Sequence, residues 1–450
     1  MNITKEAVND LNAIIHINLK EEDYIGEVNS QLADYRKKAS IPGFRPGKVP
    51  MGMVKKMYGK NVMVEAVNKK VSEGLNNFII ENKLNVLGYP LPNSEKTTMI
   101  DFDTQKDFDF YFDIGISPEF EFELSDKIKV PYYKIKVTDK EVDKAINDVK
   151  LRFGEEEHPE NAEITDALQG KFTEVDDKGA LVENGVTNDG YIRIEDVKLK
   201  VIQNKLIGSK IRDQITINLM KAFKDESKVK SLLNLHDSPD EKLSADYNFE
   251  INSVIRVKEA EINEDLFKKV YPNDDVKDEK AFKIKVKEDL STHYSRDTDR
   301  QFLADTINEL IKVTGLQLPD EFMKRWLLEN NQGKMTKEQL DDQYDSYAKT
   351  FKWQLIESKL HDQLGDEIKV TENEVRNKVK AYFKTMGGDA DSNPQIEAII
   401  DSVLQNQDEK QRIYHDLLDE KFIKAFKDHV KIQEKEVDSE KFFEIASNTK

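Results

Sequence analysis

Apolar residues at alternate positions open the chain, and helical spacing follows them. Between residues 11 and 19 every second residue is apolar, which is the pattern of a half-buried β-strand. Residues 21–39 instead have apolar side chains every three or four positions and end in Arg36-Lys37-Lys38, which suits a helix C-terminus. Residues 51–82 return to helical spacing, and residues 97–116 alternate again. This pattern predicts an α+β domain that spans residues 1–115.

The rest of the chain is predicted to form a linker, a β-rich domain and a helical body. Residues 116–160 contain one strand and a short helix that begins with a capping box at Thr138 and Glu141. Residues 161–258 are richer in glycine and β-branched residues, with strands expected at 168–175, 214–219 and 247–257. Helical spacing continues over residues 259–450. We therefore predict a multidomain α+β protein of elongated shape.

Composition and charge narrow the classes of function. Charged residues make up 35% of the 450 residues, and the net charge of −18 disfavours nucleic-acid binding unless basic residues gather in one place. The chain has no cysteine, which excludes disulfides, thiolate nucleophiles and cysteine-ligated metals. Its first residues do not resemble a signal sequence, and no apolar run approaches the roughly 18 residues of a membrane span. We therefore expect a cytoplasmic protein that does not bind membranes.

Metal-binding and acid–base motifs are not evident in the sequence. The seven histidines include no His-x-x-x-His pair that would hold zinc. Residues 389–393 imitate an EF-hand loop, but Pro394 stands where glycine is required and Ile400 where glutamate is required. The aspartates between residues 101 and 109 are better explained as a solvated strand face than as a catalytic pair. We predict neither a metal nor a cofactor.

Residues 41–50 predict a constrained loop between two helices, because they include three prolines and two glycines. The run is not a Walker A motif, since three residues separate its glycines and Val49 follows its lysine. Phe44 is expected at the tip, and the basic residues near it are Arg36, Lys37, Lys38, Arg45, Lys48, Lys55, Lys56 and Lys60. Such a patch suits a partner rich in phosphate or carboxylate. The alternative is a solvated turn with Phe44 packed into its own core.

The segment Gly-Phe-Arg-Pro-Gly-Lys-Val-Pro at residues 43–50, followed by Met57-Tyr58-Gly59, resembles the ribosome-binding signature of the trigger factor family of bacterial chaperones. A Gly-x-Pro at residues 88–90 and the helix and tail over residues 411–443 extend the resemblance. It implies that the loop contacts protein and rRNA of the large ribosomal subunit at the peptide exit. The residues implied to act there are Gly43, Phe44, Arg45, Gly47 and Lys48. Pro46 replaces a basic residue common in the family, so the tip carries less charge here.

The same resemblance implies an FK506-binding-protein-like fold for residues 161–258 and, with it, peptidyl-prolyl isomerase activity. Such catalysis depends on desolvating and twisting the X-Pro amide in an apolar pocket. The best match to the pocket wall lies at residues 199–219, where Lys200-Val201 replaces Pro-Gly, Ile202 replaces Phe and Arg212 replaces a glycine. We therefore expect weak or absent activity. The candidates for the pocket lining are Phe172, Ile202, Leu206 and Tyr247.

The helical body is implied to bind unfolded polypeptides through apolar patches on two arms. The client-binding candidates, which fall in apolar stripes at helical spacing, are Phe322, Met323, Trp326, Tyr347 and Phe351. Packing between helices is the alternative explanation of these stripes. The resemblance implies nascent or unfolded polypeptides as partners and a second copy of the chain as a partner off the ribosome.

Three other functions compete with a ribosome-associated chaperone. An active prolyl isomerase would use the remaining domains only to deliver substrate. A periplasmic chaperone of similar parts is disfavoured by the first residues of the chain. A nucleic-acid-binding protein would use the basic patch between Arg36 and Lys60, against the overall negative charge.

Overall fold

The computed structural model describes residues 1–448 except 39–41, 43, 45–46, 98–99, 177, 236–240, 273, 332 and 386–393. The described residues divide into two compact units. The first joins Met1–Lys134 to Thr298–Lys435 and to the residues from Glu444 onward. The second contains Ile135–Asp297 and Glu436–Phe443. The predicted multidomain α+β class is confirmed, whereas the predicted boundaries at residues 115, 160 and 258 stay predictions.

Strands and helices alternate in the amino-terminal part, strands dominate the middle and helices dominate the carboxy-terminal part. The strands are β1 (Asn2–Ala7), β2 (Asn12–Leu19), β3 (Val86–Pro92), β4 (Phe108–Ile116), β5 (Lys129–Ile135), β6 (Glu155–Glu157), β7 (Ala167–Val175), β8 (Thr187–Arg193), β9 (Gln214–Asn218), β10 (Asp246–Lys258) and β11 (Lys431–Val437). The first helices are α1 (Glu21–Lys38), α2 (Met51–Glu81), α3 (Asp139–Arg152), α4 (Lys200–Leu206), α5 (Leu219–Phe223), α6 (Glu226–Leu233), α7 (Glu241–Ser244) and α8 (Glu264–Val270). The remaining helices are α9 (Glu279–Thr314), α10 (Asp320–Asn330), α11 (Lys337–Leu364), α12 (Glu372–Thr385), α13 (Pro394–Gln405), α14 (Gln407–His429) and α15 (Ser439–Asn448). Short 3-10 turns occur at Ile194–Asp196 and Gly365–Glu367.

The amino-terminal part of the first unit, residues 1–116, is here called the head. Its described strands form an antiparallel sheet in the order β1-β2-β4-β3. Alternate residues of β2, namely Ile15, Ile17 and Leu19, are fully buried and pack in one core with residues of α1 and α2. The predicted strand at 11–19 and the two predicted helices are confirmed as β2, α1 and α2, and the second half of the alternating run 97–116 forms β4. Strands β1 and β3 were not predicted, and part of the predicted loop lies outside the described residues.

The helical body of the first unit is built from the second half of α9 and from α10 to α14. One core contains Phe302 from α9, Ile356 from α11, Phe422 and Phe426 from α14, and Val130 from β5. Strand β5 pairs with β11, which interrupts the predicted run of helices near its end. The helical character of residues 259–450 is otherwise confirmed for the described residues.

The middle part of the second unit is a twisted antiparallel sheet in the order β6-β10-β7-β8, with β9 also paired to β10. Phe172 of β7 lies opposite Phe249 of β10, and their rings stack with centroids 4.4 Å apart. The predicted strands at 168–175, 214–219 and 247–257 correspond to β7, β9 and β10, so these predictions are confirmed. Strands β6 and β8 and helices α4 to α7 were not predicted from the apolar pattern.

Helix α3 belongs to a separate hydrophobic core of the second unit. Its capping box forms as predicted: Glu141 N–H donates to Thr138 Oγ1, and Thr138 N–H donates to Glu141 Oε2. Burial alone would raise the pKa of Glu141, but hydrogen bonds from Ser439, Thr138 and Tyr294 outweigh it and hold that pKa at about 2. The core that α3 shares with α8 and the first half of α9 contains Val142, Ile146, Phe267, Phe282 and Val286. The predicted linker thus includes a packed helix.

Two glycines allow α10 to approach the head sheet closely. Gly88 of β3 has φ +71°, and a Cβ added there would lie 2.5 Å from Trp326 Nε1. A Cβ added to Gly115 of β4 would lie 2.5 Å from Phe322. The indole N–H of Trp326 is buried and has no hydrogen-bond partner within the described part of the chain. The close contact therefore depends on apolar packing against bare backbone.

A carboxyl group is buried in the helical body without full hydrogen bonding. Gln301 Nε2 donates to Asp305 Oδ1 at 2.9 Å, but Asp305 Oδ2 has no partner among the residues that the structure describes. Burial raises the pKa of Asp305 above its ordinary value, and Gln301 and Lys435 offset this only in part. Six residues earlier on the same helix, Asp299 accepts from Lys427 Nζ at 2.6 Å.

Replacement of Gly88 by alanine is expected to destabilise the first unit. The new methyl group would collide with Trp326, and alanine disfavours the positive φ. Gly333→Ala is the matched control, because Gly333 has φ +81° with no atom within 4 Å of its added Cβ. We expect Gly88→Ala to cost about 1 to 3 kcal/mol more than the control in urea unfolding followed by tryptophan fluorescence. Equal losses would show that the contact with Trp326 adapts without cost.

Replacement of Asp305 by asparagine is expected to stabilise the first unit near neutral pH. A carboxyl whose folded-state pKa is raised contributes its full amount to the free energy of unfolding below its unfolded pKa of about 4. This contribution to stability is lost as the pH rises through the folded-state pKa. The Tm of Asp305→Asn should therefore exceed that of the parent at pH 7, with the gain shrinking towards pH 4. Asp299→Asn should lower the Tm at pH 7, because it leaves Lys427 without its ion pair. A lower Tm for Asp305→Asn at pH 7 would contradict the assignment.

Candidate functional site

The loop between α1 and α2 is anchored on its carboxy-terminal side. Arg36, in the last turn of α1, donates from Nε to the carbonyl oxygen of Val49 at 2.8 Å. The Val49 side chain is fully buried in the head core, and Pro50 leads directly into α2. A hydrogen bond and a buried side chain thus hold the end of the loop against the helix that precedes it.

The predicted tip residue of this loop is exposed. Phe44 is 37% exposed, which argues against the alternative that its ring packs into the head core. Gly47 has φ +80°, a backbone conformation that favours glycine, and Lys48 is exposed. Gly43 and Arg45 lie outside the described residues. The contact of all five predicted residues with a ribosome stays a prediction.

The surroundings of the loop carry an uncompensated positive charge. Residues 35–64 include eight basic residues and no acidic residue, in a chain whose net charge is −18. Two of the lysines are compensated: Lys37 pairs with Asp34 at 2.8 Å, and a hydrogen bond with Asp103 raises the pKa of Lys60. Four exposed lysines make no ion pair with any described residue: Lys38, Lys48, Lys55 and Lys56. The free charge is therefore concentrated at the ends of the two helices that flank the loop.

Apolar and aromatic side chains are exposed within this basic region. Tyr35 of α1 is 40% exposed and stacks on Tyr58 of α2 with ring centroids 5.2 Å apart. Met53 and Met57 of α2 are also exposed, one helical turn apart. Both Tyr35 and Met57 fall within the segments 21–39 and 51–82 that have helical apolar spacing, and this spacing does not show that they are exposed. For Tyr35 the signal available was its position beyond Leu32, the last buried residue of α1, next to basic residues.

The client-binding candidates of the helical body lie in one apolar cluster with the head. Phe322 and Met323 are buried, and Trp326, Tyr347 and Phe351 pack against the same cluster. Two residues of β3, Leu87 and Leu91, complete it from the head side. Binding of clients by these five residues stays a prediction, and the buried pair could reach a client only if α10 moved away from β3.

Other aromatic and aliphatic side chains of the body are exposed. Tyr382 on α12 is 64% exposed, and Ile399 on α13 and Tyr414 on α14 are exposed as well. Sequence reasoning did not select them. Helical spacing places apolar residues on one side of a helix but does not show which of those sides another helix covers.

The candidates for the isomerase pocket lie together in the middle part of the second unit, here called the middle domain. Phe172, Ile202, Leu206 and Tyr247 are all buried in its hydrophobic core. Tyr247 donates its hydroxyl to the carbonyl oxygen of Lys242, and burial together with the nearby Glu174 carboxylate raises the pKa of Tyr247 to about 12. These contacts explain the four side chains as core residues. Their role in lining a pocket stays a prediction.

The segment proposed as the pocket wall contains a buried polar group. Lys200 Nζ donates to Gln203 Oε1 at 2.8 Å, and Gln203 Nε2 donates to the carbonyl oxygen of Ile194 at 3.0 Å. Exposed apolar side chains accompany this segment, namely Val201, Ile207 and Ile211. Arg212, at the position of a family glycine, has φ +74°. The wall thus combines a hydrogen-bonded amide with apolar residues that face solvent.

Within the described part of the chain, no group of three or more histidine, aspartate or glutamate side chains could hold a metal ion. No helix in the same residues is long and apolar enough to cross a membrane.

Three family models match consecutive parts of the sequence. Residues 1–149 match "Bacterial trigger factor protein (TF)". Residues 156–259 match "Probable trigger factor, FKBP-like domain". Residues 298–445 match "Probable trigger factor, C-terminal domain". The matched ranges contain the head, the middle sheet and the helical body, in that order.

Similar proteins named "Trigger factor" include that of Pelagibacter ubique (strain HTCC1062), 22% identical over 447 residues that cover 98% of this chain and 88% of the relative. The protein of Chlorobaculum parvum (strain DSM 263 / NCIMB 8327) is 24% identical over 455 residues, 96% of each chain. That of Rickettsia rickettsii (strain Sheila Smith) is 25% identical over 306 residues, 68% of this chain and 62% of the relative. A solved structure described as "Promiscuous Substrate Recognition in Folding and Assembly Activities of the Trigger Factor Chaperone" is 15% identical, with a TM-score of 0.45, and the match covers 95% of this chain and 99% of that one.

Proposed function

Because this chain belongs to the trigger factor family of chaperones, we propose that it docks on the large ribosomal subunit beside the peptide exit and binds nascent or unfolded polypeptides. It would work in the cytoplasm, delay misfolding of the emerging chain and use no cofactor. The observation that carries this proposal is the exposed, aromatic-tipped basic loop on an otherwise acidic protein.

The geometry of the loop suits a contact with a negatively charged surface. Phe44 offers an apolar ring at the tip, and Lys48 offers a positive charge that no described carboxylate neutralises. A few side chains near the centre of an interface carry most of its binding energy, and aromatic residues and arginine are frequent among them. The hydrogen bond from Arg36 to Val49 orders one side of the loop in advance, which lowers the entropy lost on docking.

Client binding is supported by the exposed apolar residues of α12 to α14. A surface for unfolded chains needs apolar side chains that are accessible yet separated by charges. Tyr382 and Ile399 are exposed, and the helices that carry them are joined by ion pairs such as Arg376 with Glu397 at 2.5 Å. We extend the client surface from the five cluster residues to these exposed positions. A second copy of the chain remains a proposed partner off the ribosome.

Prolyl isomerase activity is the second candidate function, favoured by the match of residues 156–259 to the FKBP-like model. The hydrogen-bonded Gln203 and the charged Lys200 make the proposed wall more polar than a pocket that desolvates an amide requires. We therefore propose that this activity is weak or absent and that the chaperone function does not depend on it.

Loss of the loop side chains is expected to weaken docking strongly. The full-length double variant Phe44→Ala, Arg45→Ala should bind large ribosomal subunits at least about tenfold more weakly than the parent in co-sedimentation at moderate salt. The matched control is Ile80→Ala, Lys83→Asn, which changes an exposed apolar and a basic residue at the opposite end of α2. Asparagine suits the positive φ of Lys83. If the loop variant sediments like the parent, docking at this loop is refuted.

Isomerase turnover is expected to be close to the uncatalysed rate. The full-length protein should accelerate cis–trans conversion of an X-Pro peptide only slightly, because the wall lacks the apolar Pro-Gly and Phe of the family motif. A FK506-binding isomerase measured in the same assay serves as the positive control. Acceleration comparable to that control would contradict the prediction and would favour the enzyme as the main function.

A further inference from the structure

Tyr35 has structural features that the head core does not explain. It lies in the penultimate turn of α1, and one face of its ring stacks on Tyr58 at an interplanar angle of 15°. The residue is still 40% exposed, so Tyr35 remains accessible to a partner although it is stacked on Tyr58. Its hydroxyl makes no hydrogen bond to any described residue. Tyr35 is therefore an exposed aromatic ring that is supported by its stacking contact with Tyr58.

Tyr58, the residue on which Tyr35 stacks, is itself packed in the head. Tyr58 is half-buried and packs against the head core, in which the neighbouring α2 residues Val54 and Val62 are buried. A stacked ring on a packed partner has little rotational freedom left to lose when a ligand covers it. Tyr35 is thus ordered before any partner binds.

Free positive charges surround the aromatic pair. Lys38 follows Tyr35 by three residues and Lys55 precedes Tyr58 by three residues, spacings that place side chains on the same side of a helix. Lys38 and Lys55 are exposed and form no ion pair with the described residues. No acidic residue occurs between Asp34 and Glu65.

We propose that Tyr35, backed by Tyr58, stacks on an unpaired nucleobase of ribosomal RNA while Lys38 and Lys55 bind the adjoining phosphates. The proposal rests on the proposed docking function and names the chemistry of one contact within it. Unpaired bases are recognised by stacking on exposed aromatic rings, and lysines follow the phosphate backbone beside them. An acidic protein surface would use the lysines but would not require a flat ring with a free face.

The test compares two full-length variants, Tyr35→Leu and Tyr35→Phe, for binding to purified large ribosomal subunits. Leucine keeps an apolar contact with Tyr58 but removes the ring, whereas phenylalanine keeps the ring and removes only the hydroxyl. Tyr35→Leu is expected to bind on the order of tenfold more weakly, and Tyr35→Phe is expected to bind like the parent. An unchanged melting temperature for both variants would show that the head remains folded.

Ultraviolet crosslinking on the same subunits identifies the partner. With the parent we expect a nucleotide attached to the peptide that contains Tyr35, and we expect this product to be absent with Tyr35→Leu. A crosslink from this position to a ribosomal protein would overturn the assignment to RNA. If Tyr35→Leu binds as tightly as a parent that still binds, the stacking role of Tyr35 is overturned but docking is not. If the parent itself does not bind, the proposed docking function is refuted.

The salt dependence of binding supplies an independent readout. Neutralising a lysine that contacts phosphate should flatten the slope of log affinity against log salt concentration by roughly 0.7 to 0.9. The variant Lys38→Gln, Lys55→Gln should therefore reduce the slope by about twice that amount. Lys70→Gln, a lysine later on α2 that pairs with Glu73, is the control and should leave the slope unchanged. Equal slopes for all three proteins would contradict a phosphate contact at Lys38 and Lys55.

Discussion

The packing of α10 against strands β3 and β4 is the contact on which the first unit depends. Arg325 Nη1 donates to Asp113 Oδ2 at 2.8 Å across a sequence separation of 212 residues. Bringing such distant segments together costs chain entropy, which the burial of Phe322 and Met323 must offset. Gly88 and Gly115 make this burial attainable, because a side chain at either position would separate the sheet from the helix. The head with its basic loop and the helices with their exposed apolar residues therefore belong to one compact unit.

Positive charge in the first unit is concentrated near the loop between α1 and α2, whereas the chain as a whole is acidic. Phosphate-rich surfaces repel a protein of net charge −18 over most of its area, but they attract residues 35–64, where acidic residues are absent. Helices α1 and α2 pack side by side, and the basic ends of both lie at the connecting loop. Attraction confined to one end of a helical pair orients the approach before any close contact forms. Phe44 and Tyr35 can then select a partner by shape and stacking rather than by charge alone.

Periodicity predicted most of the described elements that have one clearly buried side. The alternating residues of β2, the apolar stripe of α1 and the capping box at Thr138 each carry a strong local signal, and each formed as expected. Strand β8 was missed because Asp189 and two glycines near it weaken its alternation, and its pairing with β7 is set by the partner strand. The burial of Phe322 could not be predicted from local periodicity either, since the residues of β3 that share its apolar cluster lie far away in the sequence. The apolar pattern shows which side of a helix is apolar, whereas the exposure of that side depends on what packs against it. Tyr35 shows this most clearly, because it continues the apolar stripe of α1 and is nevertheless exposed.

The middle domain shows why its fold and its catalytic capacity must be tested separately. Strand β10 pairs with β6, β7 and β9, and the stacked Phe172 and Phe249 lie at the centre of the core. The four pocket candidates all belong to this core, so replacing any of them would disturb folding and catalysis together. Val201 and Ile211 are exposed on the proposed wall, and their substitution would change the surface offered to a proline segment while leaving the core intact. A change in turnover at these two positions would therefore report on a pocket, whereas the same change at Phe172 would report only on the fold.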